Sequence, residues 1–293
     1  MFKKYIEKYR RATVVEKLII INVGIFILTF GYKTICFLFQ IPESSVLNWL
    51  TFPADGNEFL RKPWTIFTYA FLHDGIFHLL FNMMVLYFSG NFFLAYFTGK
   101  RLLNFYFLGI FAGALIFMLS YNLFPAFANT NKAYLLGASA GVMAVLVGIA
   151  THIPYMGIRL LLIGTIKLWH IAVFFVILDI IMIPLGNAGG RLAHLGGALL
   201  GFSYVKMLDR GVDIGKWWEI FTDWIMGLFS FKKQKPLKTV HRNKNTYKKT
   251  EASNPSKTEN QKKIDSILDK ISKGGYDSLS KEEKDFLFKA GNK

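Results

Sequence analysis

The chain has 293 residues, of which 53% are hydrophobic and 16% are aromatic. This content excludes an ordinary soluble domain and, at this length, predicts an all-α polytopic membrane protein. The formal net charge of +16 would favour nucleic acid binding in a soluble chain, but Lys and Arg cluster toward the two ends, so we expect a membrane-lipid partner and no nucleic acid.

Six apolar stretches are each close to the ~20 residues that cross a ~30 Å hydrocarbon core. Their approximate bounds are 17–39, 77–98, 102–124, 134–153, 168–185 and 192–206. The first has no small-residue cleavage site after it, which predicts a retained span rather than a signal peptide. Basic residues precede the first stretch, separate the second from the third, and follow the fourth and the sixth. The positive-inside rule therefore predicts that both termini, including the basic segment 1–16, are cytoplasmic.

With this topology, the second, fourth and sixth spans all run from outside to inside. Each has polar groups near its start: His78 and Asn82 in the second, Ser139 in the fourth and His194 in the sixth. We therefore expect all four side chains at a similar depth, toward the outer leaflet. Because His78 and Asn82 are at positions i and i+4, they share one helix face. Polar groups at membrane depth are costly, which makes them functional candidates.

Small residues surround Ser139 and His194 and predict close packing of the fourth and sixth helices. On the sixth helix they form a small-xxx-small stripe of Ala193, Gly197 and Gly201. On the fourth, the serine is flanked by Gly137 and Gly141. Small residues allow helix backbones to approach closely in lipid. Such packing would bring Ser139 within hydrogen-bond reach of His194.

These residue types predict acyl-transfer chemistry. An alcohol becomes a good nucleophile when a base accepts its proton, so we assign Ser139 as the nucleophile and His194 as the general base and later the general acid. The backbone N–H of Ser139, the Asn82 amide and an N–H of His78 could stabilise the oxyanion. We expect no cofactor and no metal, and the sequence has no His-Glu-x-x-His motif.

The combination of His78-x-x-x-Asn82, Gly137-Ala138-Ser139-Ala140 and Ala193-His194-Leu195-Gly196-Gly197 resembles the rhomboid family of intramembrane serine proteases. The resemblance covers about residues 17–206. It implies a six-transmembrane-helix bundle, a Ser-His dyad without a third acid, and an oxyanion hole formed by His78 and Asn82. It also implies cleavage of the transmembrane segments of other proteins near the outer face. One departure is Met143, which stands where many members have an aromatic residue that stacks on the catalytic histidine.

Several alternatives accompany this interpretation. Asp179 could orient His194, but because the family has a dyad, a packing or hydrogen-bonding role is favoured. His73 could be a ligand or a proton relay, and a structural role is favoured. A catalytically inactive relative that binds transmembrane clients is the alternative function, although the presence of both Ser139 and His194 argues against it. A transporter or channel would need paired charges along several spans, and these are not evident.

We predict a membrane domain at 17–210. The remaining third of the chain is different in composition, and there we predict an interfacial amphipathic helix at 211–231, a basic disordered linker at 232–262 and a small helical hairpin at 263–293. Ser280 and Glu283 form a capping box for the second helix of the hairpin. The hairpin is interpreted as a solubilising or partner-binding tail, with a cytoplasmic partner left open. We expect the protein in a bacterial inner (cell) membrane.

Overall fold

The computed structural model describes residues 2–42, 44–130, 132–160, 164–229 and 259–291. The chain divides into two compact units, Met1–Phe231 and Lys232–Lys293. The predicted linker lies outside the described residues as far as residue 258.

The first unit alternates long apolar helices with short connecting ones. Its helices are α1 (Phe2–Arg11), α2 (Val14–Phe39), α3 (Ser44–Leu47), α4 (Gly56–Arg61), α5 (Thr65–Thr68), α6 (Ile76–Tyr96), α7 (Gly99–Leu123), α8 (Ser139–His152), α9 (Leu168–Met182), α10 (Ala188–Asp209) and α11 (Lys216–Phe229). Two antiparallel ladders connect loops on this bundle: β1 (Phe52–Pro53) pairs with β2 (Tyr134–Leu135), and β3 (Gly157–Leu160) pairs with β4 (Gly164–Lys167).

Four segments of the described residues are long and apolar enough to cross a membrane. They are α2, α6, α7 and the segment Leu168–Leu185, which is α9 with the 3₁₀ turn that follows it. Two further helices accompany them: α8 is apolar but only 14 residues long, and α10 has 22 residues and includes Arg191 and His194. Because these two fall short in length or in apolar character, the count of six spans stays a prediction.

The short helix α8 lies at the centre of the bundle. Every residue from Ala140 to Ala150 is buried, because α6, α7, α9 and α10 all pack around this helix. The predicted fourth span, 134–153, starts too early. Tyr134 and Leu135 are apolar, but they pair as a strand with Phe52 and Pro53, in the loop between α2 and α6, and Gly137, with a φ of +121°, separates this strand from the helix.

Glycines make the close contact between α8 and α10 possible. A Cβ atom added to Gly197 would meet the backbone carbonyl of Ala140, and one added to Gly201 would meet that of Ala144. No side chain larger than hydrogen fits there without moving backbone. The predicted close approach of these two helices is therefore confirmed.

Helix α11 is anchored to the bundle by an aromatic side chain and by polar contacts. The Trp218 ring is buried, with its centroid 5.1 Å from that of Phe111 and 6.0 Å from that of Phe107. The Asn104 amide donates a hydrogen bond of 2.8 Å to the Glu219 carboxylate. This segment was expected to lie at the interface as an amphipathic helix. The helix is present, Trp218 packs into the protein whereas Trp217 and Trp224 are exposed, and the position of the helix at the membrane interface stays a prediction.

The second unit contains α12 (Glu259–Gly274) and α13 (Lys281–Gly291). The predicted capping box is confirmed: the Glu283 amide donates to the Ser280 hydroxyl at 3.3 Å, and the Ser280 amide donates to the Glu283 carboxylate at 2.8 Å. Ile267 and Leu279 are buried within this unit. A Lys270–Glu283 ion pair of 2.8 Å joins its two helices.

Candidate active site

The four residues selected from the sequence line one cavity. A space of about 310 Å³ between α6, α8, α9 and α10 is bounded by His78, Asn82, Ser139 and His194. An adjoining space of about 180 Å³ also touches His78, Ser139 and His194, and it extends toward Asp74 and the start of α10. The larger space is mostly apolar, whereas the smaller one has more polar groups around it. The structure thus brings the four side chains to one cavity, and their depth in the membrane stays a prediction.

Ser139 is the first residue of α8, and this position gives it its electrostatic environment. The first amide N–H groups of a helix have no acceptor within the helix, and the helix dipole is positive there. No side chain caps this terminus. These N–H groups could therefore stabilise an anion beside the serine.

The loop before Ser139 is held by the segment that connects α5 to α6. The Gly137 amide donates to the Tyr69 carbonyl at 2.9 Å, and the Tyr69 hydroxyl donates to the Ile110 carbonyl of α7 at 2.7 Å. A Cβ at Gly137 would stand 3.0 Å from His78 Nε2 and 3.5 Å from Ser139 Oγ. Glycine is needed at this position because of both its positive φ and the close approach of the His78 ring.

The two candidate oxyanion donors lie on one face of α6. Nδ1 of His78 is 2.6 Å from Oδ1 of Asp74, so the ring donates to this carboxylate and its Nε2 is the nitrogen nearer Gly137. The Asn82 amide donates to the His78 carbonyl at 3.1 Å, which holds that side chain against the helix. Sequence reasoning did not identify Asp74, although its i, i+4 spacing to His78 could have suggested it.

His194 contacts a carboxylate that was expected to have another role. Its Nδ1 is 3.1 Å from both oxygens of Asp179, and this aspartate is only 4% exposed. Nη1 of Arg191 lies 2.9 Å from the same carboxylate. Sequence reasoning favoured a packing or hydrogen-bonding role for Asp179 over an orienting one, and it did not select Arg191, three residues before His194 on the same helix.

Among the described residues there is no hydrogen bond between the Ser139 hydroxyl and the His194 ring, although both line both cavities. Met143, one turn after the serine, lines the larger cavity, as His194 does. Its packing against the His194 ring stays a prediction. Over the described part of the chain, no group of three or more His, Cys, Asp or Glu side chains is arranged to hold a metal ion.

His73 lies next to this site and is 3% exposed. By distance and angle neither of its ring nitrogens forms a hydrogen bond, although the Phe71 backbone is close enough to favour the protonated ring in part, and the ring packs edge-on against His78 at a centroid distance of 5.0 Å. Burial, followed by the nearby charge of His78, lowers the pKa of His73 to about 4. The buried, unpartnered ring supports the structural role expected for it.

A family model described as Rhomboid domain matches residues 60–210, just over half of the chain. The chain belongs to the rhomboid family. A model for a family of unknown function, DUF6576, matches residues 250–289. The rhomboid protease GlpG of Yersinia enterocolitica is 29% identical over 164 residues, which cover 55% of this chain and 53% of that protein. The chain thus spans about half the length of this curated relative.

Family membership and the apolar helices make this rhomboid an integral membrane protein. The match covers α6 to α10, which hold all four candidate residues. It leaves α11 and the second unit outside the rhomboid model. The match to the family of unknown function falls on the hairpin and part of the preceding linker.

Proposed function

We propose that this rhomboid is an intramembrane serine endopeptidase that cleaves transmembrane segments of other membrane proteins near the outer face. One observation carries the proposal: Ser139, at the N-terminus of a buried helix, shares a cavity with His194, His78 and Asn82. Membership of the rhomboid family and the likeness to a rhomboid protease support the same reaction class.

In the proposed reaction, His194 Nε2 accepts the proton of the Ser139 hydroxyl while Oγ bonds to the scissile carbonyl carbon. The resulting oxyanion receives hydrogen bonds from the start of α8 and from Asn82. His78 can add a third from Nε2 only when both of its ring nitrogens carry hydrogen, because Nδ1 already donates to Asp74. Protonated His194 then gives its proton to the departing amide nitrogen, which leaves an acyl-serine. Water attacks this ester with His194 again as the base, and the second product leaves as a carboxylic acid.

The apolar spaces between α6 and α9 support a lateral route for the substrate. Beside the larger site cavity lies a further space of about 750 Å³ between the same two helices, and Val85 and Phe175 border both. An apolar segment could therefore reach Ser139 from the lipid along walls that are mostly apolar, although Arg159 borders the further space. Water would enter through the smaller cavity beside Asp74 and Asn187, which has polar walls.

The orientation is part of the proposal: both termini are cytoplasmic, the spans number six, and the membrane is the bacterial cell membrane. The basic residues of the first helix and of the loops support this arrangement. Cys36 is the sole cysteine, so its removal gives a background for single-cysteine labelling. A cysteine at Asp55 should react with an impermeant reagent in intact cells, and one at Lys216 should react only after lysis. The reverse pattern would contradict the orientation.

The decisive experiment is cleavage of a model transmembrane segment by the purified protein in detergent. Wild-type protein should release two fragments and react with a fluorophosphonate, and Ser139→Ala should do neither. Ser120→Ala is the matched control, because Ser120 is a buried helix serine whose hydroxyl donates to the Ile116 carbonyl at 2.7 Å. Cleavage by Ser139→Ala at the wild-type rate would refute the assignment. Binding of the segment by wild-type protein without cleavage would instead favour the inactive, client-binding alternative.

A further inference from the structure

Asp179 is placed to control the proton position on His194. It lies in α9 within a membrane-spanning segment, and its two carboxylate oxygens are equidistant, at 3.1 Å, from Nδ1 of the histidine. An ionised carboxylate only accepts hydrogen bonds, so Nδ1 must carry the hydrogen. The lone pair of neutral His194 is then on Nε2, the nitrogen that general-base chemistry needs.

Arg191 holds this carboxylate in place by an ion pair. Its Nη1 lies 2.9 Å from Asp179 Oδ1, and the two side chains are 21% and 6% exposed. A buried carboxylate needs a close, hydrogen-bonded positive partner to offset its desolvation. Arg191 lies near the N-terminus of α10, where the helix dipole disfavours a cation. The Arg191 charge therefore does not stabilise α10, whereas its ion pair stabilises the Asp179 carboxylate.

We propose that Asp179 is a positioning residue that fixes the Nδ1–H tautomer and the ring orientation of His194, with Arg191 anchoring the carboxylate. The catalytic consequence rests on the proposed function. It departs from the dyad without a third acid that the family resemblance implies. Asp179 does not touch the substrate, and no covalent step involves it.

The simpler alternative is a structural ion pair that joins α9 to α10. In that case the contact with His194 would be incidental, and the loss of Asp179 would lower stability without changing the tautomer. The two interpretations therefore differ in a property of the imidazole ring that does not depend on catalysis.

The tautomer can be read by nitrogen NMR of protein labelled with ¹⁵N in its histidine rings, in detergent at neutral to mildly alkaline pH. The chain has six histidines, and His194→Gln identifies the signals of interest. In wild-type protein, Nδ1 should be protonated and Nε2 unprotonated. In Asp179→Asn, the Nε2–H form should become substantially populated, because the amide can donate to Nδ1 and free imidazole prefers that tautomer. An unchanged tautomer in Asp179→Asn would overturn the proposal.

Kinetics provide the second measurement. Asp179→Asn should lower kcat by roughly 10²-fold or more with little change in KM, since it affects the base and not substrate binding. Asp179→Glu should restore part of kcat, and Arg191→Gln should lower it less than Asp179→Asn does. Asp223→Asn is the matched control. Asp223, in α11, pairs with Lys100, in α7, and its side chain is about half exposed. Thermal unfolding in detergent confirms that each variant is folded.

The outcomes separate this inference from the proposed function. A wild-type protein that cleaves nothing, but whose His194 tautomer depends on Asp179, would retain the positioning role and remove the protease assignment. A wild-type protein that cleaves, together with a folded Asp179→Asn variant of equal kcat and unchanged tautomer, would retain the protease and remove the positioning role.

Discussion

The buried, unpartnered ring of His73 predicts a loss of stability in mild acid. Burial and the nearby charge of His78 lower the pKa of His73 to about 4, whereas its ordinary value is 6.5. The unfolded chain therefore binds a proton at a pH where the folded protein does not. The stabilisation is complete above pH 6.5 and is lost as the pH falls from 6.5 through the folded-state pKa.

The size of the effect follows from the two pKa values. At 1.36 kcal/mol per pKa unit, the difference corresponds to about 3 kcal/mol of unfolding free energy in total. About 2 kcal/mol of this is lost by pH 5, since His73 would be largely protonated in the unfolded chain and largely neutral in the folded protein. This is a large fraction of the stability of an ordinary domain.

The assay is thermal unfolding in detergent at several pH values between 8 and 5, for wild-type protein and His73→Phe. Phenylalanine keeps a ring in the buried space and cannot titrate, so its stability should fall less than that of wild type over this range. His170→Phe is the control, because His170 is exposed. If wild type and His73→Phe lost equal stability between pH 7.5 and pH 5, the argument from burial would be refuted.

Two further predictions follow from the packing and from the division into units. Gly197→Val should destabilise the protein by about 1–3 kcal/mol or more in thermal unfolding, because the valine side chain would collide with the Ala140 carbonyl of α8. Gly24→Val is the control and should have a much smaller effect, since the space around Gly24 is open. Truncation after Phe231 should leave the rate of model-segment cleavage within about twofold of wild type, since every candidate residue lies in the first unit; complete loss of cleavage by the folded, truncated protein would contradict this division.

The sequence predicted the long helices well because apolar runs and their ends are local features. The ends of α6 and α7 differ from the predicted bounds by at most three residues. The start of α8 was five residues too early, because the apolar pair Tyr134 and Leu135 resembles the beginning of a span. Its partners, Phe52 and Pro53, lie more than 80 positions away. A pairing of this kind is not visible in a hydropathy pattern.

At the site, topology predicted more than local pattern could. The shared direction of three spans was enough to predict that His78, Ser139 and His194 face a common space. The role of Asp179 was undervalued for a geometric reason. It belongs to a different helix from His194, 15 positions earlier, and the turn between α9 and α10 decides whether the two meet. Asn187 forms that turn, with a positive φ of 49° and a side chain that accepts from the Gly190 amide.

The length of α8 connects the fold to the chemistry. Fourteen residues at 1.5 Å each give about 21 Å, which is less than a ~30 Å hydrocarbon core. With its C-terminal end at the cytoplasmic face, the helix would begin roughly 9 Å below the outer surface, and Ser139 is its first residue. A longer fourth helix would carry its N-terminus to the surface, where bulk water already solvates an oxyanion. In the proposed orientation, the strand that ends at Leu135 and the positive φ of Gly137 would place the helix terminus, and the serine with it, where its N–H groups act in a lower dielectric.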